Sequence, residues 1–249
     1  MRSLDGEDNA LYPYLPYLLQ DLWEIGSSAD VVLDLIRRQN LHQRPDTHVL
    51  DLGCGKGAVS IPMAREFGFR IHGIDAMPAF IREASDRSKK SQVAHLCRFE
   101  TGDIRRVTAD LRDYQLVILG SIGPVLGNVE QSLRQVRTCL VPEGHVILDD
   151  GYVRDNSPLR SQDVLSESEL KNQIQHSGFV MLDRTVMDRS LICESNQQIY
   201  RFIEKRAAEL IGKHPEKREL FKDYLRAQQR ENSVLEDEMV CVAWLLKRL

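Results

Sequence analysis

The residues best placed to do chemistry are a glycine-rich turn and a series of aspartates that follow it along the chain. The turn reads Asp51-Leu52-Gly53-Cys54-Gly55-Lys56-Gly57. Gly53 and Gly55 permit backbone angles that other residues avoid, and they let a ligand approach the main chain. A helix starting near Ala58 offers unpaired N–H groups to an anion, so a ligand carboxylate and a pyrophosphate both fit. Gly53, Gly55 and Ala58 also match the dinucleotide spacing that ends in alanine. The turn alone does not separate one adenine-bearing cofactor from another, and a plain strand-to-helix turn would use the same glycines.

The aspartates discriminate better. Asp51 precedes the first glycine, where a carboxylate is awkward beside a pyrophosphate and useful beside a ligand ammonium. Asp75, in Gly73-Ile74-Asp75-Ala76-Met77-Pro78, follows at close to the ~20 residues expected for an acid that binds ribose hydroxyls. Asp103, in Thr101-Gly102-Asp103-Ile104, could accept from an adenine amino group or cap a helix. Cys54 reads as a small packed residue rather than a nucleophile.

Short apolar runs alternating with helical stretches must position these groups. His48–Leu52, Arg70–Ile74, Cys97–Glu100, Leu116–Leu119 and His145–Leu148 read as strands. Helices are expected from Ala58 to Phe67, Pro78 to about Lys89, and Val129 to Cys139. That alternation implies βαβ units and a parallel sheet, and the nearly all-apolar fourth and fifth runs suit strands covered on both faces. A helix from Ser166 to His176 leads to strand-like Phe179–Leu182, and Met239–Leu246 closes the chain as another strand. Between those strands, two apolar-striped helices broken at Gly212-Lys213-His214-Pro215 resemble an αα-hairpin. Before the sheet, Leu18, Leu22 and Ile25 continue one helix up to Gly26. Ser27 and Ser28 are candidate caps for a second helix bearing Val32, Leu35 and Ile36, and Arg37 to Asp46 reads as a linker.

Over roughly Thr47 to Asp150 the sequence resembles the class I S-adenosylmethionine-dependent methyltransferase superfamily. The resemblance rests on Asp51–Gly57, Asp75–Met77, Asp103-Ile104, Leu119-Gly120-Ser121-Ile122-Gly123-Pro124 and Leu140-Val141-Pro142-Glu143-Gly144-His145, in that order. It implies an α/β fold with a Rossmann-like, doubly wound, mostly parallel seven-stranded sheet and an antiparallel last strand. It also implies S-adenosyl-L-methionine as cofactor. Asp51, Gly53, Cys54 and Gly55 would hold its methionine part, Asp75 the ribose, and Ala76, Met77, Asp103 and Ile104 the adenine side. Gly120 and Ser121 would face the methyl group. The expected organisation is one domain, with a helical cap over 1–45, a core over 46–190 and 236–249, and a helical insertion over 191–235.

The acceptor is less legible. Nucleic-acid amino methyltransferases of the superfamily carry Asp/Asn-Pro-Pro-aromatic after the fourth strand, where this chain has Gly120-Ser121-Ile122-Gly123. Asp149 and Asp150 end the fifth strand, and one of them could orient an acceptor hydroxyl or amine or act as general base, a solvated or capping role being the other reading. The oxygen set for a hard cation looks incomplete, and no metal is expected. Tyr14, Tyr17, Trp23, Ile122 and Tyr152 are the candidate lining of an acceptor pocket, with core packing an equal reading for the cap aromatics. The insertion could be a lid, a surface hairpin or, like the cap, a homodimer contact.

Composition narrows the classes further. The 249 residues carry 33 Lys and Arg against 37 Asp and Glu, a formal net charge of −4, which does not favour nucleic acid. No apolar run approaches the ~20 residues of a membrane span, and residues 1–8 are polar without a signal-peptide core. The five scattered cysteines form no Cys-x-x-Cys pair, and the seven histidines show no zinc spacing. A cytoplasmic enzyme that methylates a small molecule is the expectation. The alternatives are an NAD-dependent oxidoreductase, or an S-adenosylmethionine-binding protein without catalysis.

Overall fold

The computed structural model describes residues 10–43, 46–159 and 164–249. The polar N-terminal stretch over 1–8, and residues 44–45 of the expected linker, lie outside them.

Seven strands form one sheet in the order β3-β2-β1-β4-β5-β7-β6. They are β1 (His48–Leu52), β2 (Arg70–Asp75), β3 (Cys97–Thr101), β4 (Tyr114–Gly120), β5 (Leu140–Val153), β6 (Phe179–Val186) and β7 (Met239–Arg248). The first five run parallel, while β7 is antiparallel to both β5 and β6. The order reverses between β1 and β4, and the crevice beyond the carboxyl ends of such strands is where open α/β sheets bind ligands.

Helices cover both faces because the strand side chains alternate between them. Leu50, Leu52, Val117, Leu119, Val146 and Leu148 pack with α6 (Val129–Arg137) and α7 (Glu167–His176) on one face. Val49, Ile71, Leu116, Ile118 and Ile147 pack with α2 (Ala29–Arg38) and α3 (Ser60–Phe67) on the other. In α2 the apolar positions Val32, Leu33, Leu35 and Ile36 are buried, each contributing roughly 1.5–3 kcal/mol of transfer free energy. Both α6 and α7 start in capping boxes, Asn128 with Gln131 and Ser166 with Glu169.

A third apolar cluster lies outside the sheet. Leu15 and Leu18 of α1 (Leu15–Leu18), with Leu19 and Leu22, meet Met77, Phe80 of α4 (Pro78–Lys90) and the helical hairpin. The hairpin consists of α8 (Arg189–Lys213) and α9 (Arg218–Asp237), which supply Ile203, Ala207, Leu210 and Phe221. Its apolar stripe is therefore covered by the cap of the same chain. The remaining helix, α5 (Ile104–Val107), follows β3.

Three local expectations need correction. The first cap helix ends at Leu18 rather than running to Gly26, because residues 19–28 form a strap of turns and bends that reaches the glycine loop and the loop after β4. Neither serine caps α2 with its side chain; the Ala29 N–H points to Glu24 Oε1 at 3.5 Å, while Ser27 is buried. The linker is also shorter than expected, since α2 continues to Arg38 and a 3-10 turn spans Leu41–Gln43. The expected turn before β5 survives as an excursion within that strand. Tyr114 pairs with Leu140 and Leu116 with His145, so residues 141–144 loop out, with Glu143 at φ 58°.

Candidate functional site

The register places the aspartates. Asp51 lies opposite Gly73 on β2 and Ile118 on β4, and Ile118 lies opposite Ile147 on β5. Asp75 and Asp149 each stand two residues beyond those partners, so all three project from one sheet face at the carboxyl edge. This is also the face covered by α2 and α3.

The glycine loop folds back on β2. The N–H groups of Gly53 and Cys54 both donate to the Ile74 carbonyl, at 2.8 and 3.1 Å. Asp75 clamps the next step, accepting from Gly55 N–H at 2.9 Å and from Met77 N–H at 2.8 Å. Gly53, with φ 77°, faces Ile122: a Cβ there would come within 2.6 Å of the isoleucine methyl. A Cβ on Gly55 would meet nothing within 4 Å, so the loop presents bare backbone to open space. Cys54 fills the hollow above Gly73, where a Cβ would fall 2.9 Å from its sulfur. Burial holds its thiol well above the ordinary range, which agrees with packing rather than nucleophilic chemistry.

The carboxylates lack positive partners. Asp51 accepts from Ser60 Oγ at 2.6 Å, and burial pushes it up to about 6, with the hydroxyl opposing and Asp75 adding to the rise. Asp75 is raised by burial too, against its two backbone donors. Asp149 is only 6% exposed, and one of its oxygens, Oδ2, is buried without a partner. Burial drives Asp149 up to about 6, with the hydroxyls of Ser27 and Ser121 opposing. Asp150 is raised by burial and accepts from Gly151 N–H at 2.7 Å.

Above Asp149 the strap meets the loop after β4. A Cβ on Gly26 would lie 2.8 Å from Ser121 Cβ, and one on Gly120 would lie 2.8 Å from Ser27 Oγ. Ser121 itself takes φ 54°, held by its N–H donating to the Asp149 carbonyl at 3.1 Å. Trp23 lies on the glycine loop, its indole N–H donating to the Lys56 carbonyl at 3.2 Å. Tyr12 hydroxyl donates to the Ala76 carbonyl at 3.2 Å.

Other candidates stand elsewhere. Tyr14 packs edge-on against Phe221 and receives Lys217 Nζ at 2.7 Å. Tyr17 donates to Glu209 at 2.5 Å and receives Lys213 Nζ at 3.2 Å. Both tyrosines thus fasten the cap to the hairpin, and these contacts do not bring them to Asp149. Tyr152 is a core residue, 6.2 Å from the Trp244 ring. Asp103 caps α5 by accepting from Arg105 N–H at 3.0 Å, and Ile104 is buried behind it. The sequence reading missed Tyr12, Ser27 and Lys56. Nothing about a lysine inside a glycine loop signals that its side chain, 1% exposed, is turned inward.

A doubly wound sheet, a glycine loop at its switch point and cation-free carboxylates define a nucleotide-type cofactor site. A methyltransferase-domain family model matches residues 43–221, and the chain belongs to that family, with the fold of class I S-adenosylmethionine-dependent methyltransferases. The chain is 24% identical over 141 residues to a 2-methyl-6-phytyl-1,4-hydroquinone methyltransferase of Synechocystis, covering 56% of this chain and 43% of that protein. It is 30% identical over 100 residues to a ubiquinone biosynthesis O-methyltransferase of Rickettsia akari, covering 40% and 38%. The chain therefore spans less than half the length of these curated relatives. A crystal structure of a methyltransferase from Geobacter sulfurreducens with S-adenosyl-L-homocysteine superposes with TM-score 0.76 at 17% identity, covering 95% of this chain and 98% of that one.

Proposed function

We propose that this chain transfers a methyl group from S-adenosylmethionine to a small molecule carrying a hydrogen-bond donor. The observation that carries this reading is the set of buried carboxylates without cations, Asp51, Asp75 and Asp149, around an open glycine backbone. A pyrophosphate would face like charge there, which counts against a nicotinamide dinucleotide. A cofactor with an ammonium, a ribose and no phosphate complements it. Crystallisation of the Geobacter neighbour with S-adenosyl-L-homocysteine supports the same choice.

The cofactor supplies an already activated methyl group on a sulfonium. The chain's own residues bind and position. Asp75 keeps lone pairs free for ribose hydroxyls after accepting from Gly55 and Met77, and the bare backbone at Gly55 admits close approach. Asp51 faces the ammonium side. The free oxygen of Asp149 accepts from the acceptor's hydroxyl or amine and can take its proton, with Ser27 and Ser121 fixing the carboxylate. The strap at Gly26-Ser27 covers Asp149, excludes water, and moves aside for acceptor entry.

Cap, core and hairpin act as one domain in this reading, since Leu15, Leu18 and Leu22 of the cap share an apolar cluster with Phe80 of α4 and with Ile203 and Phe221 of the hairpin. All five cysteines are free, which supports a reducing, cytoplasmic setting. Among the described residues, no helix is long and apolar enough to cross a membrane. Also among them, no group of three or more His, Cys, Asp or Glu could hold a metal.

Calorimetric titration with S-adenosyl-L-homocysteine and, separately, NAD tests the assignment. Micromolar binding of the homocysteine product and none of NAD is expected; the reverse pattern would falsify it.

A further inference from the structure

The side chain of Lys56 leaves the glycine loop for the strap and α4. Its ammonium, buried at 1% exposure, donates to the Leu19 carbonyl at 2.8 Å and to the Gln20 carbonyl at 3.3 Å. It also pairs with Glu83 of α4 at 3.0 Å and sits 5.5 Å from the centre of the Phe80 ring. The carbonyl of the same residue accepts from Trp23. One lysine thus holds the strap at three points, 19, 20 and 23, and ties it to the helix that begins beside Asp75. Glycine neighbours on both sides leave the loop little stiffness of its own. A buried ammonium whose donors are all satisfied is a directional fastener; removing it takes the lysine donor from the Gln20 carbonyl and leaves the Leu19 carbonyl only the Leu22 N–H at 3.1 Å.

We propose that Lys56 is a positioning residue that sets the strap and the glycine loop as one unit, so that the cofactor is held only while the strap lies closed over it. This rests on the reading that the glycine loop holds S-adenosylmethionine. Neither the family match nor the motif assigns a task to this side chain. The loop needs its glycines for backbone approach, whereas the lysine serves the strap.

Lys56→Met keeps the stem and removes the charge. Glu83→Gln disturbs the ion pair from its half-exposed end, with little risk to folding. Stopped-flow fluorescence of Trp23 would follow release of S-adenosyl-L-homocysteine, and hydrogen–deuterium exchange would follow the ligand-free strap. Lys56→Met should speed release by at least about tenfold, the loss expected for charged hydrogen bonds, with Glu83→Gln smaller. Exchange should rise over residues 19–27 and stay unchanged in α6 and α7. A merely structural lysine would lower the folded fraction yet leave the release rate of folded molecules unchanged. Release within twofold of the parent, together with an unaltered strap, overturns the proposal alone. Absence of any S-adenosyl-L-homocysteine binding by the parent chain overturns the cofactor reading and this proposal together.

Discussion

Carboxylates at two places in this chain meet opposite surroundings. At the carboxyl edge of the sheet, Asp51 and Asp149 are buried with hydroxyl partners and no cation, and both rise to about 6. Where the cap meets the hairpin, Asp21 is held below the ordinary range by its hydrogen bonds to Arg206. Glu209 is likewise lowered, by Tyr17 first and Arg206 second. The second arrangement is ordinary surface pairing that adds a little stability. The first costs stability in the ligand-free protein, and a fold keeps such a cost where a ligand later offsets it. The contrast separates fastening from function more sharply than residue type does.

The largest effect should come from Asp149→Asn. With a folded value of about 6 against a reference of 3.8, Asp149 binds its proton more tightly in the folded state. Its contribution is then fully present below the unfolded value and is lost as pH rises through about 6. The variant lacks that penalty. It should match the parent near pH 4 and exceed it by up to about 3 kcal/mol at pH 8, read by urea unfolding at each pH. Equal stability at both pH values would show that the carboxylate is solvated after all.

Asp75→Ala comes next. It removes a charged acceptor from two backbone donors and from the proposed ribose site, so the S-adenosyl-L-homocysteine dissociation constant should rise by about 100-fold. Asp110→Ala at an exposed position serves as the reference, and equal losses in the two variants would refute the ribose assignment.

The paired region should respond more gently. Arg206→Ala removes the ion pairs to Asp21 and Glu209 and should lower the Tm by only a few degrees. Scanning calorimetry should show the difference shrinking in molar salt. Tyr17→Phe loses only the hydroxyl shared by Glu209 and Lys213, about 0.5–1 kcal/mol, and should leave the S-adenosyl-L-homocysteine affinity as it was. A change in that affinity would return Tyr17 to the pocket from which its contacts remove it.

How much of this was legible depends on range. The βαβ rhythm, the glycine turn and the aspartates at strand ends are local patterns, and each strand appears where period and composition put it. The antiparallel β7 and the hairpin before it followed from the resemblance and from apolar spacing. What stayed hidden is long-range. Leu22 and Ile25 fit a helical period, yet Lys56 and the β4 loop draw that segment into a strap. Tyr14 and Tyr17 look like pocket aromatics until Lys217 and Glu209, near the far end of the chain, claim their hydroxyls. Asp103 was read both as an adenine contact and as a helix cap. The cap is what its hydrogen bond to the Arg105 N–H shows, and the Arg105 guanidinium engages both carboxylate oxygens at 2.9 Å besides, a pairing no local pattern announces.

β5 runs past the end of β4 and continues to Val153 along β7. Asp149 therefore lies inside a ladder, opposite Gly120 on one side and Ala243 on the other. A loop-borne carboxylate would have to be immobilised at every turnover. Here the backbone entropy of that residue is surrendered once, when the chain folds, and under the proposed role no later ordering of this group is charged to the acceptor.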